Sequence, residues 1–201
     1  MDAGLALIAA FSFLVGSVPF GLLFTRGSGV DIRKTGSGNI GATNVLRSVG
    51  KKAAAMTLLA DMLKGTVAVA LVRVLMGPDM FREGLCGLMA VLGHDFSIFQ
   101  GGKGGKGVAT SLGVLFIYTP WAGLAAAITW LAAFLIFRIS SLGALMAFIA
   151  APIAVYYIGY GWDALIISVI ITLLLIYKHR TNIKNLINGT EKRIGNKAQG
   201  A

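Results

Sequence analysis

The chain has 201 residues, of which 56% are apolar and only 13% charged, with a net charge of +10 and a mean hydropathy of +0.79. A soluble domain carries charge on about a quarter of its residues, so these values exclude one and direct much of the surface into lipid. Cys86 is the single cysteine and the histidines number two, which excludes an intrachain disulfide and is too few ligands for a zinc site.

The first apolar run covers residues 3–24. Met1-Asp2 lacks the basic start of a signal peptide and no small-residue cleavage site follows, so the run is expected to be a retained span. Further runs follow at 53–76, 85–99, 108–118, 121–137, 142–160 and 164–177. A span needs about 20 apolar residues, and two of these seven are short. Charge settles the count. Arg26, Arg33, Lys34, Arg47, Lys51 and Lys52 follow the first run and place that loop in the cytoplasm, with the N-terminus outside. Loop 77–84 sets one arginine against Asp79 and Glu83, as an outer loop does. Lys103 and Lys106, then Arg138, then a tail with Lys178, Arg180, Lys184, Lys192, Arg193 and Lys197 fall inside. Joining 107–137 into one span would export that tail. The expectation is therefore an all-α, polytopic membrane protein: seven transmembrane helices, N-terminus outside, C-terminus cytoplasmic, and a short or tilted span at 108–118. A basic chain also suits nucleic acid, but inner-loop placement accounts for the charge, and no nucleic-acid partner is expected. No repeat and no linker divides the chain, so residues 1–201 read as a single integral-membrane domain.

Three cytoplasmic-side clusters stand out from this apolar background. The first is Gly36-Ser-Gly-Asn-Ile-Gly-Ala-Thr-Asn-Val-Leu-Arg47, the second Gly101-Gly-Lys-Gly-Gly-Lys-Gly107, and the third His179-Arg-Thr-Asn182. Glycines let backbone N–H groups turn toward an anion, and Ser, Thr, Asn, Lys and Arg add donors for phosphate oxygens. The first cluster matches the spacing of a dinucleotide fingerprint, with Asp61 twenty residues beyond Gly41, but no buried strand precedes it. The second fails as a P-loop, because no glycine stands five before Gly105 and Gly107 follows the lysine. The three clusters abut the inner ends of spans, where they can converge on one phosphate pocket with an apolar wall for an acyl chain. Asp61 and Lys64, three apart within the second span, read as an intrahelical pair, since ionised groups at membrane depth cost about 2.5–3.5 kcal/mol each on insertion scales. His94 reads as a hydrogen-bonding residue at a helix end.

At these residues the chain resembles the bacterial integral-membrane glycerol-3-phosphate acyltransferases that use acyl-phosphate as donor. The resemblance runs over nearly the whole length. It rests on Ser37-Gly-Asn-Ile-Gly-Ala-Thr-Asn44 with Arg47, on Gly93-His-Asp-Phe96 with Gly102-Lys-Gly-Gly-Lys-Gly-Val-Ala-Thr110, and on His179-Arg-Thr-Asn-Ile183 with Leu186, Gly189, Glu191 and Arg193. It departs at Ser97, where the family usually has Pro, at Gly102, where it has an aromatic, and at Asn185, where it favours Arg. The His-x4-Asp pair of the better-known acyltransferases is absent: Phe99 stands four after His94 and Ile183 four after His179.

The resemblance implies a seven-helix membrane fold and a multi-pass place in the bacterial cytoplasmic (inner) membrane. It implies that Ser37, Arg47, Lys106, Ser141, His179 and Asn182 hold glycerol-3-phosphate, with His179, Lys106 and Asn182 carrying the catalytic contacts. The backbone of Gly41, Ala42, Thr43 and Asn44, with Gly104, Gly105 and Gly107, would cradle the acyl-phosphate. The expected products are lysophosphatidate and phosphate, as the first step of phospholipid biosynthesis, with no cofactor, no metal and no obligatory protein partner. The alternative is a membrane carrier for a phosphorylated metabolite, since glycine-broken helices with cations also suit anion transport; the missing internal repeat argues against it.

Overall fold

The computed structural model describes residues 3–194, and every regular element among them is helical. Met1, Asp2 and Lys197 lie outside the described residues. α1 (Ala3–Ser17) and α2 (Phe20–Thr25) come from the first apolar run. Pro19 separates them, because it lacks an N–H and disfavours helix in the residue before it. A loop carrying the first glycine cluster leads to α3 (Ala42–Ser48), then α4 (Lys51–Met76) and α5 (Met80–Asp95). The Asp79 side chain caps α5 by accepting from the Arg82 amide at 2.8 Å. A single 3₁₀ turn (Ile98–Gln100) and the second glycine cluster precede α6 (Val108–Tyr118). α7 (Pro120–Phe137) starts with proline at its first position, where no N–H is needed. α8 (Ser140–Ile158), α9 (Trp162–Lys178) and α10 (Arg180–Ile187) complete the order.

All seven expected apolar runs are helical. Three stretches are long and apolar enough to cross a membrane by themselves: Ala3–Thr25, Pro120–Phe137 and Ser140–Ile158. A fourth follows if α9 and α10, which meet at a 62° bend, are taken together. The others fall short for stated reasons. α5 has 16 residues and α6 has 11, while α4, with 26, carries Asp61, Lys64 and Arg73. At about 1.5 Å per residue, α6 reaches little more than half the thickness of a hydrocarbon core. The second glycine cluster directly precedes α6, and Gly105 and Gly107 are buried there.

Two helix crossings depend on bare backbone. Between α1 and α5, a Cβ on Gly16 would lie 2.1 Å from the Ala90 carbonyl oxygen, and one on Gly93 would lie 2.1 Å from that of Phe13. Between α4 and α6, a Cβ on Gly65 would meet the Thr110 oxygen at 2.2 Å, and one on Gly113 the Met62 oxygen at 1.9 Å. In lipid there is no hydrophobic gain from helix association, so close backbone approach of this kind carries the packing. α6 to α9 share an apolar core that includes Val114, Leu115, Phe148, Val155 and Ile171. Large apolar side chains such as Leu7, Val74, Ile136 and Ile166 point outward.

Away from the glycine clusters, Arg73 grips Glu83 with two bonds, Nε to Oε1 at 2.9 Å and Nη2 to Oε2 at 2.6 Å, and also donates to the Ile117 carbonyl. Glu83 is thus a buried helix residue and not part of an outer loop. The pair ties α4 and α5 to the end of α6. The expected Asp61–Lys64 pair forms at 2.8 Å, and Lys64 also donates to the Val18 carbonyl at 3.1 Å, which satisfies it where the first run breaks.

The α4–α6 crossing gives a direct test. Gly113→Ala forces a methyl against the Met62 carbonyl and should cost about 1–3 kcal/mol. Thermal unfolding of the detergent-solubilised protein should shift downward. Gly27→Ala, with no atom within 4 Å of the added carbon, should leave the midpoint in place. Equal midpoints for both variants would refute the packing argument.

Candidate functional site

The first cluster is shaped by one buried carboxamide. Asn44, on α3, reaches back to the preceding loop: its Oδ1 accepts from the Ser37 amide at 2.8 Å, and its Nδ2 donates to the carbonyls of Ile32 at 2.8 Å and Thr35 at 3.1 Å. Gly36 has φ +68°, and a Cβ there would stand 2.2 Å from Asn44 Oδ1, so only glycine lets the loop wrap this side chain. Asn44 therefore builds the loop and has no side-chain donor left for an anion; its backbone amide donates to Gly41 O. Ala42 and Thr43 are the first two residues of α3, whose amides lack intrahelical acceptors by helix geometry. The Thr43 hydroxyl lies 3.0 Å from that of Ser140, joining α3 to the start of α8.

The second cluster folds against the end of α5. The amides of Gly102, Gly104 and Gly105 donate to the carbonyls of Ser97, Asp95 and His94. Gly104 and Gly105 have no room for a side chain, with the His94 carbonyl 1.9 Å from a Cβ on the first and the His94 ring 2.1 Å from one on the second. These two glycines shape the loop, and their amides are engaged. Gly107 does line the cavity described below; its φ of +72° starts α6. Lys103 is exposed, whereas Lys106 turns inward and donates to Asn182 Oδ1.

The third cluster is the α9–α10 bend with the segment after α10. His179 is buried, and its Nδ1 lies 2.9 Å from the Leu175 carbonyl. A carbonyl only accepts, so Nδ1 carries the proton and Nε2 keeps its lone pair. Burial pushes the imidazole pKa down to about 4, and the nearby Lys106 cation acts in the same direction. His179 is neutral at neutral pH. Burial also lowers the Lys106 pKa, opposed by the charge of Glu191. Asn182 Nδ2 and Ser141 Oγ both donate to Glu191 Oε1 at 2.6 Å. Arg47, in the last turn of α3, donates to the Lys192 carbonyl at 2.9 Å, and Lys192 Nζ donates to Gly36 O at 2.9 Å.

These segments enclose a cavity of about 340 Å³. Ser37, Arg47, Lys106, Ser141, His179 and Asn182 all line it, as do Gly41, Ala42, Thr43, Asn44 and Gly107; Gly104 and Gly105 do not. Beyond them the wall has an apolar stretch made by Leu58, Met62, Leu112, Phe116, Ala127 and Trp130. The cavity thus joins a set of cations and neutral donors suited to phosphate oxygens to a surface suited to an alkyl chain.

Three titratable lining residues were not assigned to the site from sequence. Glu191 is the acid the site folds around; its signal was an isolated acid in an otherwise basic tail. Asp61 and His94 also face the cavity, with His94 Nδ1 3.6 Å from Asp61 Oδ1. Their spacing of 33 positions leaves no local signature.

Residues 6–189 match the family model described as glycerol-3-phosphate acyltransferase. Proteins named glycerol-3-phosphate acyltransferase from Agrobacterium fabrum and Sinorhizobium fredii are 48% and 52% identical over 194 and 193 residues; the matches cover 96% and 95% of this chain and 93% of each relative. The crystal structure of PlsY (YgiH), an integral membrane glycerol 3-phosphate acyltransferase in its glycerol 3-phosphate form, superposes with a TM-score of 0.92 at 40% identity over 96% of both chains. The lysophosphatidic acid form of the same protein gives 0.90 at 39% identity, again over 96% of both chains. The chain belongs to the glycerol-3-phosphate acyltransferase family.

Proposed function

We propose that this acyltransferase moves a fatty acyl group from acyl-phosphate to the 1-hydroxyl of glycerol-3-phosphate, releasing lysophosphatidate and phosphate, the first step of phospholipid synthesis. The observation that carries the reading is the cavity itself, with Arg47, Lys106, His179 and Asn182 at its polar end and an apolar wall beyond. The two PlsY forms, named for glycerol 3-phosphate and lysophosphatidic acid, support the acceptor and the product. The acyl-phosphate donor rests on the residues. A coenzyme A thioester needs a site for an adenosine phosphate and a long arm, and neither glycine cluster has the context of a nucleotide loop.

Acyl-phosphate is an activated mixed anhydride, so the protein's task is to place two anions and stabilise developing charge. Arg47 and Lys106, with Ser37, Ser141 and Asn182, hold the acceptor phosphate. The amides of Gly41–Asn44 not engaged within the loop, with Gly107, face the donor. The 1-hydroxyl oxygen attacks the acyl carbon, the bond from that carbon to the phosphate oxygen breaks, and the departing phosphate takes the hydroxyl proton. Neutral His179, with Nδ1 fixed on Leu175, uses its Nε2 lone pair to orient the acceptor hydroxyl.

The same reading takes residues 1–201 as one domain of seven spans in the bacterial cytoplasmic membrane, with the N-terminus outside and the segment after α9 inside. The basic residues of the loops assigned to the inside support it.

Three measurements test these statements. Purified protein free of acyl-phosphate should make lysophosphatidate from palmitoyl-phosphate and glycerol-3-phosphate, and little or none from palmitoyl-CoA; comparable rates with the thioester would overturn the donor assignment. Nitrogen NMR of the substrate-free protein should show His179 as the neutral Nδ1–H tautomer at pH 7, gaining its proton only near pH 4. Because its native pKa lies below the unfolded value, the unfolded chain binds the proton first, so stability should decline as pH falls from about 6.5 toward 4. A His179 midpoint near 6.5 would contradict the buried, neutral role. For topology, labelling from outside should reach a cysteine placed at Asp163 and miss one placed at Asn188; the reverse pattern would sink the seven-span arrangement.

A further inference from the structure

Lys178 stands immediately before His179 at the end of α9, outside the cavity lining. Its ammonium donates to the Asp95 carbonyl at 2.6 Å and sits 4.7 Å from the centre of the Phe96 ring. The Asp95 carbonyl also accepts the Gly104 amide at 3.2 Å. One oxygen thus joins the loop that carries Lys106 to the helix end that carries His179, across 83 positions of sequence.

A second bond connects the same two segments, from Lys106 Nζ to Asn182 Oδ1. Both of its partners line the cavity and are assigned to the acceptor, so an incoming phosphate competes for them. Lys178, Asp95 and Phe96 do not line it, so a molecule entering the cavity does not compete for their link. Lys178 is also close enough for its charge to oppose protonation of Lys106. A cation in the last turn of a helix often serves only to complement the dipole. Here the ammonium leaves its own helix for a carbonyl on another, at the point from which the glycine loop hangs.

We infer that Lys178 is a positioning residue: through the Asp95 carbonyl it fixes the glycine loop and Lys106 in register with His179 and Asn182. The inference rests on the reading that Lys106 and His179 engage glycerol-3-phosphate. Lys178→Met in lipid nanodiscs keeps the side chain's length and removes its charge and donors. Loss of a charge-assisted bond should raise the KM for glycerol-3-phosphate about tenfold. The change in kcat should stay within about threefold, because the reacting groups are retained. The melting temperature should hold near the wild-type value and the His179 ring-nitrogen shifts should move, with Lys178→Arg recovering part of the KM.

Wild-type KM and unmoved His179 signals would overturn the inference. So would a lowered melting temperature with neither change, since that is the mark of a purely structural lysine. Phe96→Leu is the milder variant, removing only the ring beneath the ammonium; a KM rise of about two- to fivefold is expected. If Lys178→Met does not fold, unchanged KM and His179 signals in Phe96→Leu overturn the inference on their own. Arg47→Ala separates the two readings. Wild-type KM in that variant counts against the acceptor assignment, while the His179 shifts in Lys178→Met still report on the link.

Discussion

One carboxylate, Glu191, allows a group of cations and neutral donors to share a small volume before any substrate enters. Its Oε1 accepts from both Asn182 and Ser141. This fixes the Asn182 amide: with Nδ2 committed to an acid, Oδ1 must face Lys106, and flipping the amide would set donor against donor on one side and oxygen against oxygen on the other. Its charge also offsets the burial of the Lys106 ammonium. Without that acid, two protein cations and an amide would have to be held apart by backbone alone. With it, the resting site is closed by bonds of the type an incoming phosphate can replace.

The groups that meet around this acid come from helix ends. α3, α6 and α8 begin at the cavity, and α9 stops there; the end of α5 anchors the glycine loop that feeds it. Backbone-to-backbone crossings at Gly16, Gly93, Gly65 and Gly113 hold α1, α4, α5 and α6 with no long side chains between them. A base built this way has few rotamers to rearrange, which suits a site that works by holding two substrates in place. The opposite wall, with Trp130 and Ala127 of α7 and Ala144 of α8, presents the apolar surface.

Much of this was legible in the chain because lipid enforces simple rules. Apolar runs bounded by basic or polar loops correspond to helices at all seven expected positions, and the three polar clusters meet at one cavity. Detail was lost where side chains replace regular backbone partners. Nothing local marks Asn44 as the scaffold of its own loop, since the bonds to Ile32, Thr35 and Ser37 exist only once the loop closes. Gly104 and Gly105 look like free phosphate donors in sequence, yet their amides turn to the Asp95 and His94 carbonyls at the end of α5. The short helices α3 and α10 lie in polar stretches without an apolar face long enough to announce them. His94 and Glu191 stood in the motifs without a site role, and Asp61 read only as the partner of Lys64; their place at the cavity comes from tertiary proximity.

The bonds between Lys192 and the first cluster have a consequence for how the protein is made. Arg47 to Lys192 and Lys192 to Gly36 span 145 and 156 positions, almost the length of the described chain. Contacts this distant cannot form until residue 192 has been made, and they close a long loop at an entropic cost. A partly inserted chain therefore carries the first glycine cluster without its closing partner. In such a species Arg47 and the Gly36 carbonyl lack the partner that ties them to the far end of the chain.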